Sequence, residues 1–261
     1  MAVQTAQRTQ AGSERRAPLP LTSRRDTWWV RPLITVIVLG GFVIYATYRA
    51  FVNQNYEWGP YLSPLYSPLL PINWSIFGYT ISPAFYILIF PLSFRLTCYY
   101  YRLAYYRAFF WDPPACAVRE PAKRRHYTGE RAFPFVLQNI HRFAFYAAFV
   151  FIFILGWDAI QAFFFSDGFH VGLGSLVLTA NVILLALYTF SCHSWRHLIG
   201  GRVDCYSCTA ASKTRFGIWK QVSLLNSRHA IYAWASLVMV ALADFYVLLV
   251  SSGTIQDVRF F

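Results

Sequence analysis

The chain has 261 residues, of which 57% are hydrophobic, 20% are aromatic and only 13% are charged. This composition excludes a soluble domain of ordinary make-up and predicts an all-α polytopic membrane protein. The formal net charge of +12 would suggest a nucleic-acid partner for a soluble protein. Most of the basic residues here flank apolar segments, so we expect no nucleic-acid partner. We interpret the basic residues as markers of how the helices are oriented in the membrane.

Five apolar segments predict five transmembrane helices, at about residues 32–52, 80–101, 137–162, 171–197 and 229–249. Residues 1–27 are polar and lack the apolar core of a signal peptide, which predicts a cytoplasmic tail ahead of a membrane anchor domain at 28–261. Residues 53–79 contain no Lys or Arg and many Pro, Tyr and Trp, which predicts a loop on the outer membrane surface. Pro83 and Pro91 predict kinks in the second helix.

The distribution of the basic residues predicts how these helices are oriented in the membrane. Of the 23 Lys and Arg residues, 20 lie in the N-terminal block, in residues 95–131 or in residues 196–228. Because cytoplasmic loops carry the excess of Lys and Arg, the N-terminus is predicted in the cytoplasm and the C-terminus outside. The expected location is the plasma membrane, in contact with lipid, with the basic face toward the cytoplasm.

Metal-binding side chains follow the fourth apolar segment. His193 and His197 are four residues apart and therefore project from one face of a helix, and Cys205 and Cys208 follow in a C-x-x-C pattern. These four residues suit either tetrahedral zinc or an iron–sulfur cluster. Ten of the eleven Cys and His residues map to the cytoplasmic side, namely Cys98, Cys116, His126, His141, Cys192, His193, His197, Cys205, Cys208 and His229. We interpret Cys98, Cys116 and Cys192 as buried apolar residues.

Charged residues inside the apolar segments need partners, since an ionisable group in hydrocarbon is costly. Asp158 and Asp244 lie toward the outer face, where Arg49 is an available partner for either. A structural ion pair is the favoured interpretation, and a proton path is the alternative. Arg142 lies one turn into the third helix and suits either a headgroup anchor or a contact to an anionic group.

Two short motifs carry a resemblance to a known family. The stretch NIHRFAF at Asn139–Phe145 resembles the His-Arg motif of the membrane anchors of succinate dehydrogenase and fumarate reductase, the respiratory complex II family. The stretch WRHLIGGRVD at Trp195–Asp204 resembles the Arg-His-Leu motif of the same anchors. The resemblance implies a subunit without a succinate site of its own. An iron–sulfur subunit and a flavoprotein would dock on its cytoplasmic face, and the complex could form a higher oligomer.

The resemblance also bears on the cofactor. Anchors with two haems take His ligands from four helices, and the first two segments here contain no His, so two haems in that pattern are excluded. A Rieske-type [2Fe–2S] cluster on His193, His197, Cys205 and Cys208 uses the whole ligand set and resembles the haem-lacking actinobacterial branch of the family. His141 or His229 could replace one of the two helical ligands. Two alternatives remain, a single haem b held between His141, His193 and His229, and a non-redox protein with structural zinc.

The function that the resemblance implies is electron transfer to a quinone at the inner membrane boundary. Reduction of a quinone takes up two protons, so polar side chains must reach its carbonyl oxygens. The residues predicted to contact the quinone are Gln138, His141, Arg142, Trp195 and His229.

Overall fold

The fold is taken from a computed structural model, which describes residues 27, 29–70, 74–76, 79–109, 135–201 and 203–260. Of the predicted features, residues 1–26 of the N-terminal tail, Cys116 and His126 lie outside these ranges. The described part of the chain is mostly helical. Its α-helices are α1 Val30–Val52, α2 Pro83–Thr97, α3 Tyr99–Phe109, α4 His141–Gln161, α5 Leu173–Phe190, α6 His193–Gly200, α7 Ala210–Ser227 and α8 His229–Ser251.

Short elements connect these helices. A 3₁₀ helix, Phe135–Ile140, leads directly into α4. Three antiparallel two-stranded hairpins complete the elements, β1 Glu57–Trp58 with β2 Tyr61–Leu62, β3 Trp74–Ile76 with β4 Tyr79–Ile81, and β5 Phe164–Phe165 with β6 Gly168–Phe169.

Four of the described helices are long and apolar enough to cross a membrane, at Val30–Val52, Val136–Gln161, Leu173–Phe190 and His229–Ser251. They correspond to the first, third, fourth and fifth predicted spans. The helix α2 has 15 residues, or about 22 Å of helix against a hydrocarbon layer of about 30 Å. A helical membrane protein is thus confirmed, whereas five spans and the placement of the termini stay predictions.

The second predicted helix, residues 80–101, is wrong at both ends. Ser82 has an extended backbone and caps α2 by accepting a hydrogen bond from the backbone of Ala84. Pro83 is therefore the first helical residue, where its fixed φ and missing N–H are tolerated, and it does not kink the helix. Cys98 is also extended and separates α2 from α3.

The fourth predicted helix, residues 171–197, is wrong as a single helix. It ends at Phe190, and a short connection leads to α6. Cys192 has an extended backbone and its sulfur accepts a hydrogen bond from the backbone of Ser194, which caps α6. His193 and His197 still share one face, but on this separate helix. The following loop was not predicted to be helical, yet it contains α7.

Packing brings four helix ends together. The helix α8 packs along α5, and α4 packs against both α2 and α5. We call the region formed by Thr97, His141, Phe190 and His229, where α2 and α5 end and α4 and α8 begin, the basic end. An apolar cluster with Phe94, Phe145 and Tyr188 at its core lies beneath it.

The opposite end is closed by a buried ion pair. Arg49 Nε lies 2.8 Å from Asp244 Oδ2, and both side chains are almost fully buried. The guanidinium also donates to the carbonyl oxygens of Gln54 and Asn55, which ties the loop after α1 to the helices. The predicted ion pair is therefore confirmed for Arg49 and Asp244. Asp158 instead accepts a hydrogen bond from Ser67.

The loop after α1 does more than lie on the membrane surface. Its residues Tyr61 and Tyr66 are fully buried against the helices. The Tyr61 hydroxyl donates to Asp257 at 2.7 Å, and backbone hydrogen bonds join Leu173 to Val258. The C-terminal segment thus folds back over the opposite end of the bundle.

Candidate functional site

A cavity of about 1020 Å³ opens at the basic end of the bundle. Its wall is formed by the breaks and ends of five helices, because each helix that stops at this level leaves polar backbone and side chains facing the same space. The residues that could carry chemistry among its lining are Cys98, Gln138, His141, Arg142, Cys192, His193, His197, Arg215 and His229.

His141 is the first residue of α4 and is buried. Its ring stacks on Phe94, with 4.9 Å between the ring centroids. Thr97 Oγ1 donates its own hydrogen to the carbonyl oxygen of Ser93 at 2.7 Å, so it accepts from His141 Nδ1 at 2.8 Å. This hydrogen bond assigns the proton to Nδ1. The lone pair of Nε2 therefore points at Cys192 Sγ, 3.1 Å away.

His229, the first residue of α8, is held in the same way. The Ser191 hydroxyl donates to the carbonyl oxygen of Tyr188 at 3.0 Å and so accepts from His229 Nδ1 at 2.7 Å. His229 Nε2 lies 3.5 Å from Cys98 Sγ. The imidazole stacks on the ring of Tyr188 with a centroid separation of 5.0 Å. Hydroxyl groups thus fix the tautomer of both imidazoles and direct both Nε2 atoms toward thiols.

These side chains form two Cys–His pairs in one cavity. Metal-binding histidines in proteins are commonly oriented through the other ring nitrogen in this manner. Within the described ranges no three His, Cys, Asp or Glu side chains lie close enough to hold a single metal ion. Each pair by itself therefore supplies two candidate ligands.

Burial affects the chemistry of the thiols. Cys192 lies between α5 and α6, outside the spanning helices, and burial raises the pKa of its thiol to about 12. In the metal-free protein this thiol is therefore neutral at physiological pH. Binding of a metal would displace the proton, as it does at thiolate sites in general.

The predicted ligands His193, His197, Cys205 and Cys208 are not brought together. Cys205 and Cys208 form a disulfide with each other, with 5.6 Å between their Cα atoms. Sulfur in a disulfide has no thiolate to offer a metal, so this arrangement does not fit a cluster on that set. The rings of His193 and His197 lie 4.9 Å apart on the exposed face of α6 and line the cavity. Partial burial and the neighbouring His197 and Arg196 lower the pKa of His193.

The residues predicted to contact a quinone divide into two groups. Gln138, His141, Arg142 and His229 line the cavity. Gln138 is buried, and its Oε1 has no hydrogen-bond partner among the described residues.

Trp195, the remaining predicted contact, lies away from the cavity. Its ring stacks on Phe145 and Phe149, with centroid distances of 5.9 and 6.1 Å. The side chain is therefore part of the aromatic packing, because an indole at this position of α6 faces α4.

Comparison with known proteins identifies the family. A model of the family described as "Actinobacterial succinate dehydrogenase subunit SdhC" matches residues 30–253. The chain belongs to this family. It is accordingly a membrane anchor subunit of succinate dehydrogenase and part of an oxidoreductase. Membership in the SdhC family confirms the resemblance seen in the two short motifs.

A solved structure is similar along nearly the whole length. A chain of the Mycobacterium smegmatis Sdh1 complex in the apo form is 48% identical and superimposes with a TM-score of 0.82. The match covers 95% of this SdhC family member and 98% of that chain. No curated protein matches the sequence. Neither match identifies the metal centre, so the Rieske-type cluster stays a prediction.

Cys98 and Cys192 were interpreted from the sequence as buried apolar residues, and their burial is confirmed, at 3% and 1% exposure. Their place in the cavity wall beside His229 and His141 was not predicted. The available signal was their position, since each lies at a helix break on the side of the chain where almost every Cys and His is found.

Proposed function

We propose that this SdhC family member takes electrons from the iron–sulfur subunit of a succinate dehydrogenase and delivers them to a quinone in the cavity at the basic end. The observation that carries the proposal is the pair formed by the buried His141 and the partly buried His229, each with Nδ1 held by a hydroxyl and Nε2 directed at a buried thiol. A site of this kind has the ligands of a redox metal centre and a space for an acceptor beside it.

The proposed centre is a [2Fe–2S] cluster held by Cys98, Cys192, His141 and His229. Two thiolates and two imidazoles are the ligand types of a Rieske cluster, although each thiol here lies beside one imidazole, whereas a Rieske cluster has both imidazoles on one iron. When bound, such a cluster supplies a one-electron carrier. The role of the protein is to hold the four ligands and to keep water away from them through Phe94 and Tyr188.

Quinone binding is assigned to the polar part of the cavity wall. Gln138 and Arg142 lie on consecutive turns of the 3₁₀ helix and α4, and both line the cavity. The Gln138 amide and the Arg142 guanidinium can donate hydrogen bonds to quinone carbonyl oxygens, where negative charge develops during reduction. His193 lines the cavity and its lowered pKa favours the neutral imidazole, which can accept a proton at the cavity wall.

The partners follow from the proposed role. An iron–sulfur subunit that carries a flavoprotein would dock over the basic end, where Arg142 and Arg215 line the cavity. We propose that this face is cytoplasmic and that the membrane is the bacterial plasma membrane, because the excess of Lys and Arg marks the cytoplasmic side. The succinate site would belong to the partner subunits.

The test is spectroscopic and uses the detergent-purified whole complex. Electron paramagnetic resonance and optical spectra are recorded in oxidised and dithionite-reduced forms for the unmodified complex, for Cys192→Ser and for the control Cys205→Ser/Cys208→Ser. We expect an iron–sulfur signal with imidazole ligation that disappears in Cys192→Ser and persists in the control. Loss of the iron–sulfur signal only in the control would instead support His193, His197, Cys205 and Cys208 as the ligands.

A single haem b remains the second candidate, because His141 and His229 are two imidazoles in one cavity, each held through Nδ1. Each Nε2 is directed at a thiol rather than at the other imidazole, which favours the cluster. Haem absorption bands in the unmodified complex, without an iron–sulfur signal lost in Cys192→Ser, would decide for haem.

A further inference from the structure

Arg95 is a half-buried cation in the last turn of α2, close to the proposed centre. Its guanidinium donates to the Tyr101 hydroxyl at 2.5 Å, to the carbonyl oxygen of Ala233 at 3.1 Å and to Ser236 Oγ at 3.0 Å. It also lies over the ring of Tyr188, 4.7 Å from the centroid. Every one of these partners is neutral.

Arg95 differs from the buried Arg49 in the charge of its partners. Arg49 is neutralised by the carboxylate of Asp244, so its field is largely cancelled at a distance. Within the part of the chain that the structure describes, no carboxylate pairs with Arg95. A half-buried cation whose described partners are all neutral keeps its field, which acts on the groups around it.

The charge lies near one of the two Cys–His pairs, Cys98 with His229. Tyr188 contacts the Arg95 guanidinium and also stacks on the His229 imidazole. Cys98 follows Arg95 by three residues, and its backbone N–H donates to the Arg95 carbonyl oxygen at 3.3 Å. One aromatic ring and one helical turn therefore connect the cation to two of the four proposed ligands.

We propose that Arg95 raises the reduction potential of the centre held by Cys98, Cys192, His141 and His229; this inference rests on the proposed function. In the electron-transfer step a cluster of the partner subunit is oxidised by one electron and the membrane centre is reduced by one, with no bond made or broken. The reduced centre carries one more negative charge, and an uncompensated cation beside it stabilises that form. Arg95 is a positioning residue, because it contacts the ligand environment and not the substrate.

The experiment is a redox titration of the membrane centre in the whole complex, followed by electron paramagnetic resonance. Arg95→Gln removes the charge, and we expect the electron-sharing equilibrium with the donor cluster to move about tenfold toward the donor, a fall of about 59 mV for a one-electron couple. Arg95→Lys keeps the charge and should change the equilibrium less than about threefold.

Two further variants separate charge from packing. Ser236→Asp leaves the guanidinium in place but gives it a carboxylate, so we expect a fall similar to that in Arg95→Gln. Ser236→Ala removes the same hydrogen bond without adding charge and should leave the potential unchanged. If the Arg95→Gln complex does not assemble, the two Ser236 variants still test whether the charge of Arg95 raises the potential.

The outcomes distinguish the two proposals. A centre that is present with the same potential in Arg95→Gln and Ser236→Asp would make Arg95 a purely structural residue and leave the proposed function standing. A fall in Arg95→Lys or Ser236→Ala as large as in Arg95→Gln would also overturn the inference, because packing would then explain it. Absence of any redox-active metal centre from the unmodified complex would overturn both proposals.

Discussion

His141 Nε2 lies 3.1 Å from Cys192 Sγ, although the two residues are 51 positions apart in the chain. The contact depends on the ring orientation of His141, and that orientation depends on one hydroxyl group, Thr97 Oγ1. Groups that hold the second nitrogen of a metal-binding histidine commonly change metal affinity by 10- to 100-fold when they are removed.

Thr97→Val should therefore lower the affinity of the proposed centre for its metal by about 10-fold or more. Valine has nearly the shape of threonine but cannot accept from His141 Nδ1, so the ring loses its fixed tautomer. Iron retained after timed exposure to a chelator measures the effect. The control is Thr179→Val, whose hydroxyl donates only to Ser175 within α5. Equal iron loss in both variants would show that the Thr97 contact has no specific role.

Gln138→Leu should weaken quinone binding without affecting the oxidation of succinate. The Gln138 side chain lines the cavity, and its amide N–H group can donate a hydrogen bond to a carbonyl oxygen of the quinone. Loss of one such hydrogen bond, about 1.4 kcal/mol, raises KM for the quinone about tenfold.

Steady-state rates with a quinone and with a soluble dye that accepts electrons from the partner subunits separate these two steps. Gln221→Leu is the matched control, because Gln221 is exposed on α7. A rise in KM of the same size in both variants, or a loss of the dye rate in Gln138→Leu, would contradict the assignment of Gln138 to the quinone site.

Breaking the ion pair at the opposite end should destabilise the protein strongly. Asp244→Asn leaves Arg49 buried without its carboxylate, and loss of one partner of a buried pair costs about 3–5 kcal/mol. We expect a lower unfolding midpoint in detergent, measured by circular dichroism. The double variant Arg49→Met/Asp244→Leu removes both charges and should be more stable than Asp244→Asn. Because the pair is structural in this interpretation, the rate of electron transfer at temperatures below unfolding should not change.

If Arg49 and Asp244 are instead part of a proton path, we expect the opposite effect on the rate. In that case Asp244→Asn would slow quinone reduction even where the protein is fully folded, as judged from its far-ultraviolet spectrum. The stability and the rate therefore decide between the two interpretations that the sequence left open for Arg49, Asp158 and Asp244.

Gly174→Ala tests the packing of the loop after α1 on the bundle. A Cβ at Gly174 would lie 2.3 Å from the ring of Tyr61, which is fully buried and hydrogen-bonded to Asp257. Displacing this ring should cost about 1–3 kcal/mol of the free energy of unfolding, measured by denaturant titration in detergent. Gly156→Ala is the control, because its Cβ would meet only Val182 at 3.9 Å and alanine favours the helix. Equal stability of the two variants would show that Tyr61 moves without cost.

The sequence by itself determined the class of the protein and predicted the side of the membrane on which to look for chemistry. Segment length and apolar composition are properties of the local sequence, and they located the four long apolar helices, whereas α7 and the breaks within the predicted spans were not predicted. Cys98 and Cys192 interrupt two of them, and nothing in the local composition marks these breaks, since each depends on capping by a neighbouring side chain or backbone group.

Only the tertiary structure decided which Cys and His residues meet. The proximity of His193, His197, Cys205 and Cys208 along the chain suggested one site, whereas the fold pairs Cys98 with His229 and Cys192 with His141, across 131 and 51 positions. Such pairs depend on how α2, α4, α5 and α8 pack at the basic end, and packing is set by side-chain shapes on several helices at once. For the same reason the neutral surroundings of Arg95 could not be read from the sequence, because a charge is recognised as uncompensated only when its neighbours in space are known.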